Sequence, residues 1–269
     1  MSLLVDASGV ALAAAGPRRR IVSLIPSTTE TLCALGLADA LVGVTAYCRE
    51  PAAIVRSKTR VGGEKTPDLE TIRALAPDLV VANIEENVRE HIDTLRRWQI
   101  PVWVTHPRTV AEAIRMIRQL GTVTGTEARA TALADELDAR LAEVGVRIAG
   151  RPPVSVFYAI WREPWMTIGA DTYIHDMLRV CGAGNVFADH DRYPAVTLEE
   201  VAARRPQLIL LPDEPFRFRE AHRRDFARFG DVPAVANGRI HLVDGKPFSW
   251  HGPRIAEALR TVPRLLWPG

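Results

Sequence analysis

The chain has 269 residues, 47% of them hydrophobic and 25% charged, with a formal net charge of +2. That length can hold two modest hydrophobic cores, and the near-neutral charge lacks the basic footprint of a nucleic-acid or membrane-surface binder. No apolar run approaches the roughly 20 residues that a helix needs to cross a bilayer.

Near the start, LLVDASGVAL reads as two short strands around an Asp-Ala-Ser-Gly turn. A secretory signal needs a basic n-region and an apolar run of about 7–15 residues. No Lys or Arg precedes Arg18, and Asp6 interrupts the apolar residues. The segment therefore reads as the beginning of a folded domain, so either the chain is not exported by that route or its leader is not included. The run Arg18-Arg19-Arg20 is a solvated strand entry.

Ile21–Ile25 follows as a buried strand, and Ser27-Thr28-Thr29-Glu30 as a capping box with Ser27 at the N-cap, opening a helix that stops near Gly36. Leu41–Ala46 is a strand leading to Tyr47 in a loop, and Gly62-Gly63 mark another loop. A helix starting at Asp68 ends before Pro77, and Leu79–Ala82 is the next strand. Asn87–Gln99 reads as a helix, Pro101–Thr105 as a strand and Thr109–Leu120 as a helix. Thr126–Val146 is rich in Ala, Leu, Glu and Arg, with Ala130, Leu133, Leu137, Leu141 and Val144 spaced three and four apart. It predicts one amphipathic rod about 30 Å long.

A second half then begins with the strand Val154–Ile160 and the helix Thr172–Cys181, closed by Gly182, with Gly182–Asn185 as its C-cap turn. Thr197–Glu200 is a second capping box, followed by the strand Leu208–Leu211, a helix over Arg217–Phe229 and the strand Arg239–Asp244. The closing helix runs over His251–Leu266 with Pro253 in its first turn. Leu69, Glu70, Ala74, Pro77 and Leu79 are echoed by Leu198, Glu199, Ala203, Pro206 and Leu208, every pair separated by the same number of residues. The expected fold is α/β: two lobes with parallel-type central sheets (1–124 and 149–269) joined by one long helix (125–148).

Glu70 and Glu199 occupy equivalent first-turn positions, where a carboxylate offsets the helix dipole. Glu200 already fills the capping role in the second copy, which leaves Glu199 for docking to arginines of a partner. Tyr47, Trp161, Trp165, Tyr193, Phe248 and Trp250 fall in loops near predicted strand ends, where open α/β sheets gather ligands. They suit a large, flat or partly apolar ligand. His106, His190 and His251 lie near loops or helix starts as candidate metal or cofactor ligands, but no pair has ligand spacing. The cysteines, Cys33, Cys48 and Cys181, have neither metal nor redox spacing. No P-loop, G-x-G-x-x-G after a strand, G-x-S-x-G elbow or H-E-x-x-H is present, which lowers the standing of nucleotide and hydrolytic chemistry.

Across RIVSLIPSTTETLCALG, PDLETIRALAPDLVVAN, TLEEVAARRPQLILL and WHGPRIAEAL the chain resembles the helical-backbone (class III) substrate-binding proteins of ABC importers. That group contains vitamin B12, iron-siderophore and haem receptors, and the resemblance is strongest to the B12 branch. It implies a ligand held between two lobes, little hinge motion, and a glutamate on each lobe, here Glu70 and Glu199, engaging arginines of the membrane permease. Tyr47 matches a B12-contacting aromatic in kind, and Tyr193 stands where a tryptophan is usual. The loop at Gly63-Glu64 and the position of Asn83 lack the expected tryptophans, Met166 replaces a phenylalanine, and Trp250 stands where an arginine would be. The family's disulfide is missing, because the partner expected for Cys181 falls near Pro263.

The resulting expectation is a monomeric, non-enzymatic receptor with no cofactor, no catalytic residue and no metal ligand of its own. Its ligand contacts are Ser27, Tyr47, Gly63, Trp161, Trp165, Met166, Tyr193 and Trp250, with backbone N–H groups offered near Ser27 and Gly63. A corrinoid leads as ligand, and a ferric siderophore, haem or metal ion follows. The resemblance implies a periplasmic or cell-surface location, whereas the lack of a visible signal peptide implies a cytoplasmic one if Met1 is the true start. A cytosolic metal-chelate-handling enzyme or chaperone of related architecture is the reading from another class.

Overall fold

Strands β1 (Leu3–Val5) and β2 (Ala11–Ala13) pair antiparallel, as the N-terminal sequence predicts. The computed structural model describes residues 3–14 and 16–268. The buried Asp6 carboxylate organises the turn: Oδ1 accepts from Ser8 N–H (2.9 Å), Ser8 Oγ (2.7 Å) and Val10 N–H (3.0 Å). The same side chain accepts from Arg96 Nη2 (2.7 Å) and Val104 N–H (3.1 Å) through Oδ2. Five donors offset the cost of burying this carboxylate away from water.

The chain divides into two compact units, the first Met1–Pro107, Ala111–Asp138 and His251–Pro253, the second Arg108–Val110, Ala139–Trp250 and Arg254–Gly269. Unit 1 contains β3 (Ile21–Ser23), α1 (Pro26–Ala34), β4 (Leu41–Val44), α2 (Ala52–Val55), β5 (Thr59–Arg60), α3 (Leu69–Ala74), β6 (Leu79–Asn83), α4 (Arg89–Arg97) and β7 (Val102–Thr105). Its parallel sheet has the order β5-β4-β3-β6-β7. Val22, Leu24, Val80, Ala82, Val102 and Val104 meet Ile72, Ile92 and Leu95 in one buried cluster on the α3 and α4 side. Strands buried on both faces need such β-branched runs.

Helix α1 departs from expectation at its start. It begins at Pro26 with Ile25 as N-cap and no side-chain cap, so Ser27 is inside the helix and buried. The Ser27–Glu30 capping box does not form, because Pro26 sets the first helical φ without needing an N–H acceptor.

Helix α5 (Val110–Thr124) leads to α6 (Glu127–Ile148), the 22-residue helix expected from the sequence. Ala130, Ala134, Leu137 and Val144 are its buried stripe. The helix lies in unit 1 up to Asp138 and in unit 2 from Ala139.

Unit 2 contains β8 (Val154–Tyr158), α7 (Tyr173–Val180), β9 (Ala183–Asn185), α8 (Leu198–Ala203), β10 (Leu208–Pro212), α9 (Pro233–Ala236), β11 (Ile240–Val243), α10 (Lys246–Ser249) and α11 (Ile255–Leu266). Its sheet is again parallel, in the order β11-β10-β8-β9. Three expectations fail here. Gly182 does end α7 with φ 94°, but Ala183–Asn185 form a strand against Val154–Val156 rather than a cap turn. Glu220–Phe226 is a short 3-10 helix where Arg217–Phe229 predicts an α-helix. Phe218 and Phe226 are both buried in the unit 2 core, and Phe218 N–H bonds Pro212 O at 3.1 Å, which holds the segment's start out of helix. Helix α11 begins at Ile255, after Gly252 at φ 147°, so Pro253 precedes it.

The internal echo holds to the residue. Helices α3 and α8 begin at Leu69 and Leu198, and strands β6 and β10 at Leu79 and Leu208. Even the left-handed residues correspond: Ala76 (φ 44°) and Arg205 (φ 48°) each precede the proline. A residue before proline is barred from the helical region by the ring, so the helix must end there.

Candidate functional site

Ligands of open parallel sheets gather at the carboxyl ends of the strands. In unit 1 those ends lead into Pro26–Ser27, Tyr47, Gly62–Gly63, Glu85 and His106. Tyr47 is 58% exposed, a large exposure for a ring in a folded unit. A Cβ on Gly63 would sit 3.5 Å from its ring, so the Gly63 backbone lies beside that face. The Gly63 N–H is already committed to Thr66 O at 3.1 Å. The expected N–H donation at Gly63 is therefore replaced by close backbone approach. At α1, Thr29 N–H bonds back to Ile25 O at 3.0 Å, which puts Ser27 and Thr28 ahead of the helical ladder. Their N–H groups are the ones a ligand acceptor would meet.

The acid–histidine group in unit 1 is one the sequence reading left scattered. His106 Nε2 lies 3.6 Å from Glu85 Oε1. Lys65 Nζ donates to the Glu85 carbonyl, and burial pushes the Glu86 carboxyl up. His251 O accepts from Thr31 Oγ1 at 3.2 Å, holding the 251–253 segment on α1. Burial pushes the His251 imidazole down to about 4, opposed by Glu85 and aided by His106. Residues 85, 106 and 251 are far apart in sequence, so no spacing signal could have joined them. His190, the third histidine singled out, is elsewhere, 2.9 Å from Asp189 Oδ1. Among the described residues no group of three or more His, Cys, Asp or Glu is placed to hold a metal ion.

In unit 2 the ring-bearing loops follow β8 and β10. Trp161 is 41% exposed and meets Phe216 edge-on, with centroids 5.5 Å apart. Met166 bridges to Trp161 on one side and Ala195 on the other, which places Met166 next to the Trp161 backbone. Trp165, four residues on from Trp161, instead stacks on Phe218 at 5.5 Å and meets Phe226 edge-on at 5.3 Å, packed against the unit's own core. The half-buried Tyr193 ring lies under the Arg192 guanidinium at 5.4 Å, and Trp250 lies under Arg254 at 5.2 Å.

Phe216 and Glu214 are missing from the expected contacts. Both follow β10 directly, so the carboxyl-end rule already pointed at them. Burial raises the Glu214 carboxyl, while Lys246 and hydrogen bonds from Trp250 and Ser249 oppose the shift. Ser249 Oγ donates to Glu214 Oε1 at 3.3 Å.

The docking candidates differ from each other. Glu70 and Glu199 are both exposed, each in the first turn of its helix. Asp68 caps α3 through Thr71 N–H at 2.9 Å, and Thr197 with Glu200 forms the expected capping box on α8. Neither Glu70 nor Glu199 caps, which leaves each carboxylate for other partners. Glu199 has one: Arg228 Nη2 donates to its Oε1 at 2.6 Å.

A vitamin B12-binding protein of Vibrio cholerae is 27% identical over 247 residues, covering 91% of this chain and 88% of that protein. An uncharacterised ABC transporter substrate-binding lipoprotein of Bacillus subtilis is 28% identical over 258 residues, covering 93% of this chain and 80% of its own length. A periplasmic haem-binding protein solved with two haems superposes with a TM-score of 0.83 at 26% identity, covering 93% of this chain and 98% of that one. The periplasmic binding protein family model matches residues 21–247, from the first strand of one parallel sheet to beyond the last strand of the other, and this chain belongs to that family.

Proposed function

We propose that this protein is the non-enzymatic substrate-binding receptor of an ABC importer and that its ligand is a corrinoid. The observation that carries the reading is the family match over two parallel sheets whose carboxyl ends present exposed rings, Tyr47 in unit 1 and Trp161 in unit 2. Each unit offers a ligand surface of its own: Ser27, Tyr47 and Gly63 in the first, Trp161, Met166, Tyr193 and Trp250 in the second. Trp165 supports the second from behind, through Phe218. Flat aromatic faces bind large apolar ring systems through burial and offset stacking. The resemblance to B12- and haem-binding proteins supports a planar metal chelate over a bare cation. Haem is the second reading, favoured by the structural likeness to the haem-loaded protein.

The reading extends to the partner and the compartment. An ABC permease receives the ligand, with Glu70 and Glu199 as docking carboxylates and a monomer as the docking form. The relatives' periplasmic and lipoprotein designations support action outside the cytoplasmic membrane.

Titration with cyanocobalamin, cobinamide, haemin and a ferric siderophore, followed by absorption and calorimetry, tests the ligand. Saturable binding of cobalamin or cobinamide at one site per chain is expected, and Trp161→Ala weakens it about tenfold. Saturation by haemin alone transfers the assignment to haem, and no saturation by any of the four removes the chelate reading.

A further inference from the structure

Glu214 is a carboxylate at the ring-bearing end of unit 2 that the expected contacts leave unused. It stands six residues after Leu208, which opens β10, as Glu85 stands six residues after Leu79, which opens β6. The two copies thus follow equivalent strands with the same acid, but its surroundings differ. Glu85 has the His106 imidazole 3.6 Å away, whose protonated form neutralises it. Glu214 has two uncharged donors instead, the Ser249 hydroxyl at 3.3 Å and the Trp250 side chain.

Those contacts hold the carboxylate in place without cancelling its charge. Gly245 makes room for it, since a Cβ there would sit 2.7 Å from Glu214 Cγ. A carboxylate offers about four acceptor positions, of which Ser249 and Trp250 take two, and Glu214 is half-buried rather than enclosed. Neighbouring acids add to its negative potential. Asp213 accepts from Gly245 N–H at 2.9 Å and Asp244 from Lys246 N–H at 3.0 Å. The cations around it are engaged: Lys246 Nζ lies 3.4 Å from Asp244, Arg162 2.8 Å from Asp225, and Arg254, over the Trp250 ring, 3.7 Å from Glu257. Arg217, three residues on, is exposed, so water and salt screen it more than they screen a half-buried carboxylate. A fixed acceptor of this kind forms charge-assisted hydrogen bonds with amide N–H groups and repels carboxylates.

On the receptor reading proposed for this chain, we infer that Glu214 is a specificity-determining residue: it accepts from the N–H groups of an amide-edged macrocycle beside Trp250 and turns away the same macrocycle edged with carboxylates. Corrinoids with amidated side chains are thereby favoured over their acids, and over haem with its propionates.

Dicyanocobinamide and dicyanocobyrinic acid are the probes, one macrocycle edged with amides in the first and with carboxylates in the second. Dissociation constants for both are measured by calorimetry at neutral pH, for the parent and for Glu214→Gln, which keeps the shape and an acceptor for Ser249 but loses the charge. The parent is expected to prefer cobinamide, and Glu214→Gln to lower that preference about tenfold. Loss of folded protein weakens both ligands alike, so a purely structural effect leaves the ratio where it was. A ratio that rises, or stays within about twofold of the parent's, overturns the assignment of Glu214 and leaves the receptor reading standing. Failure of cobinamide to saturate the parent removes the corrinoid reading and this selectivity together.

Discussion

His251 shows how a single side chain couples packing to pH. Its folded value of about 4 lies below the ordinary 6.5, so the unfolded chain binds a proton that the native state resists. The group's contribution is full above pH 6.5 and is lost as pH falls from there toward 4, reaching at most about 3 kcal/mol. Chemical denaturation at pH 7 and at pH 4.5 should show a smaller loss on acidification for His251→Gln than for the parent. Equal losses would mean that the imidazole is solvated. The glycines make a related point: at Gly62 (φ 83°) a Cβ would lie 2.6 Å from Thr66 O, which ties the loop beside Tyr47 to one residue type.

At the scale of elements, the duplicated helix–proline–strand unit is where local chemistry is strongest. Thr197 and Glu200 satisfy each other's backbone donors reciprocally, with Thr197 N–H to Glu200 Oε2 at 2.6 Å and Glu200 N–H to Thr197 Oγ1 at 3.1 Å. Thr197→Ala should cost about 1 kcal/mol by denaturant titration, with the slope unchanged. Helix α6 is stabilised differently, through small residues that allow close approach. A Cβ on Gly121 of α5 would collide with the Ala130 side chain, and Ala130 is fully buried. Gly121→Val should therefore destabilise by roughly 1–3 kcal/mol through overpacking, although valine and glycine propensities in a helix interior argue for little change or a gain.

For the whole molecule, the proposed docking carboxylates predict an asymmetry. Arg228 already pairs with Glu199, and the described residues show no ion pair for Glu70. An incoming permease arginine must displace Arg228 at one helix and not at the other. Exposed ion pairs are weak, typically about 0–1 kcal/mol, so Arg228 reduces docking strength at α8 without blocking it. In binding assays with the cognate permease, Glu70→Ala should weaken docking more than Glu199→Ala, and Arg228→Ala should strengthen it severalfold. Docking unchanged in the Glu70→Ala, Glu199→Ala double variant would remove both carboxylates from the interface.

The amino-acid sequence by itself determined the features that depend on neighbouring residues: the long α6, the Thr197 capping box, the N-terminal hairpin, and the Leu69 and Leu198 copies with their helix-ending prolines. Periodicity, caps and proline sterics act over a few residues, so they can be read without the fold. Strand β9, the 3-10 helix at Glu220–Phe226 and the late start of α11 depended on tertiary structure. Three residues such as Ala183–Asn185 carry no period, and only their pairing with β8 makes them a strand. The same reason separates the candidate site residues. Tyr47 and Trp161 were legible as rings after strands, but the inward turn of Trp165, the meeting of Glu85, His106 and His251, and the occupation of Glu199 by Arg228 are contacts across long stretches of chain. Burial and charge pairing settle those contacts, and both exist only once the chain has folded.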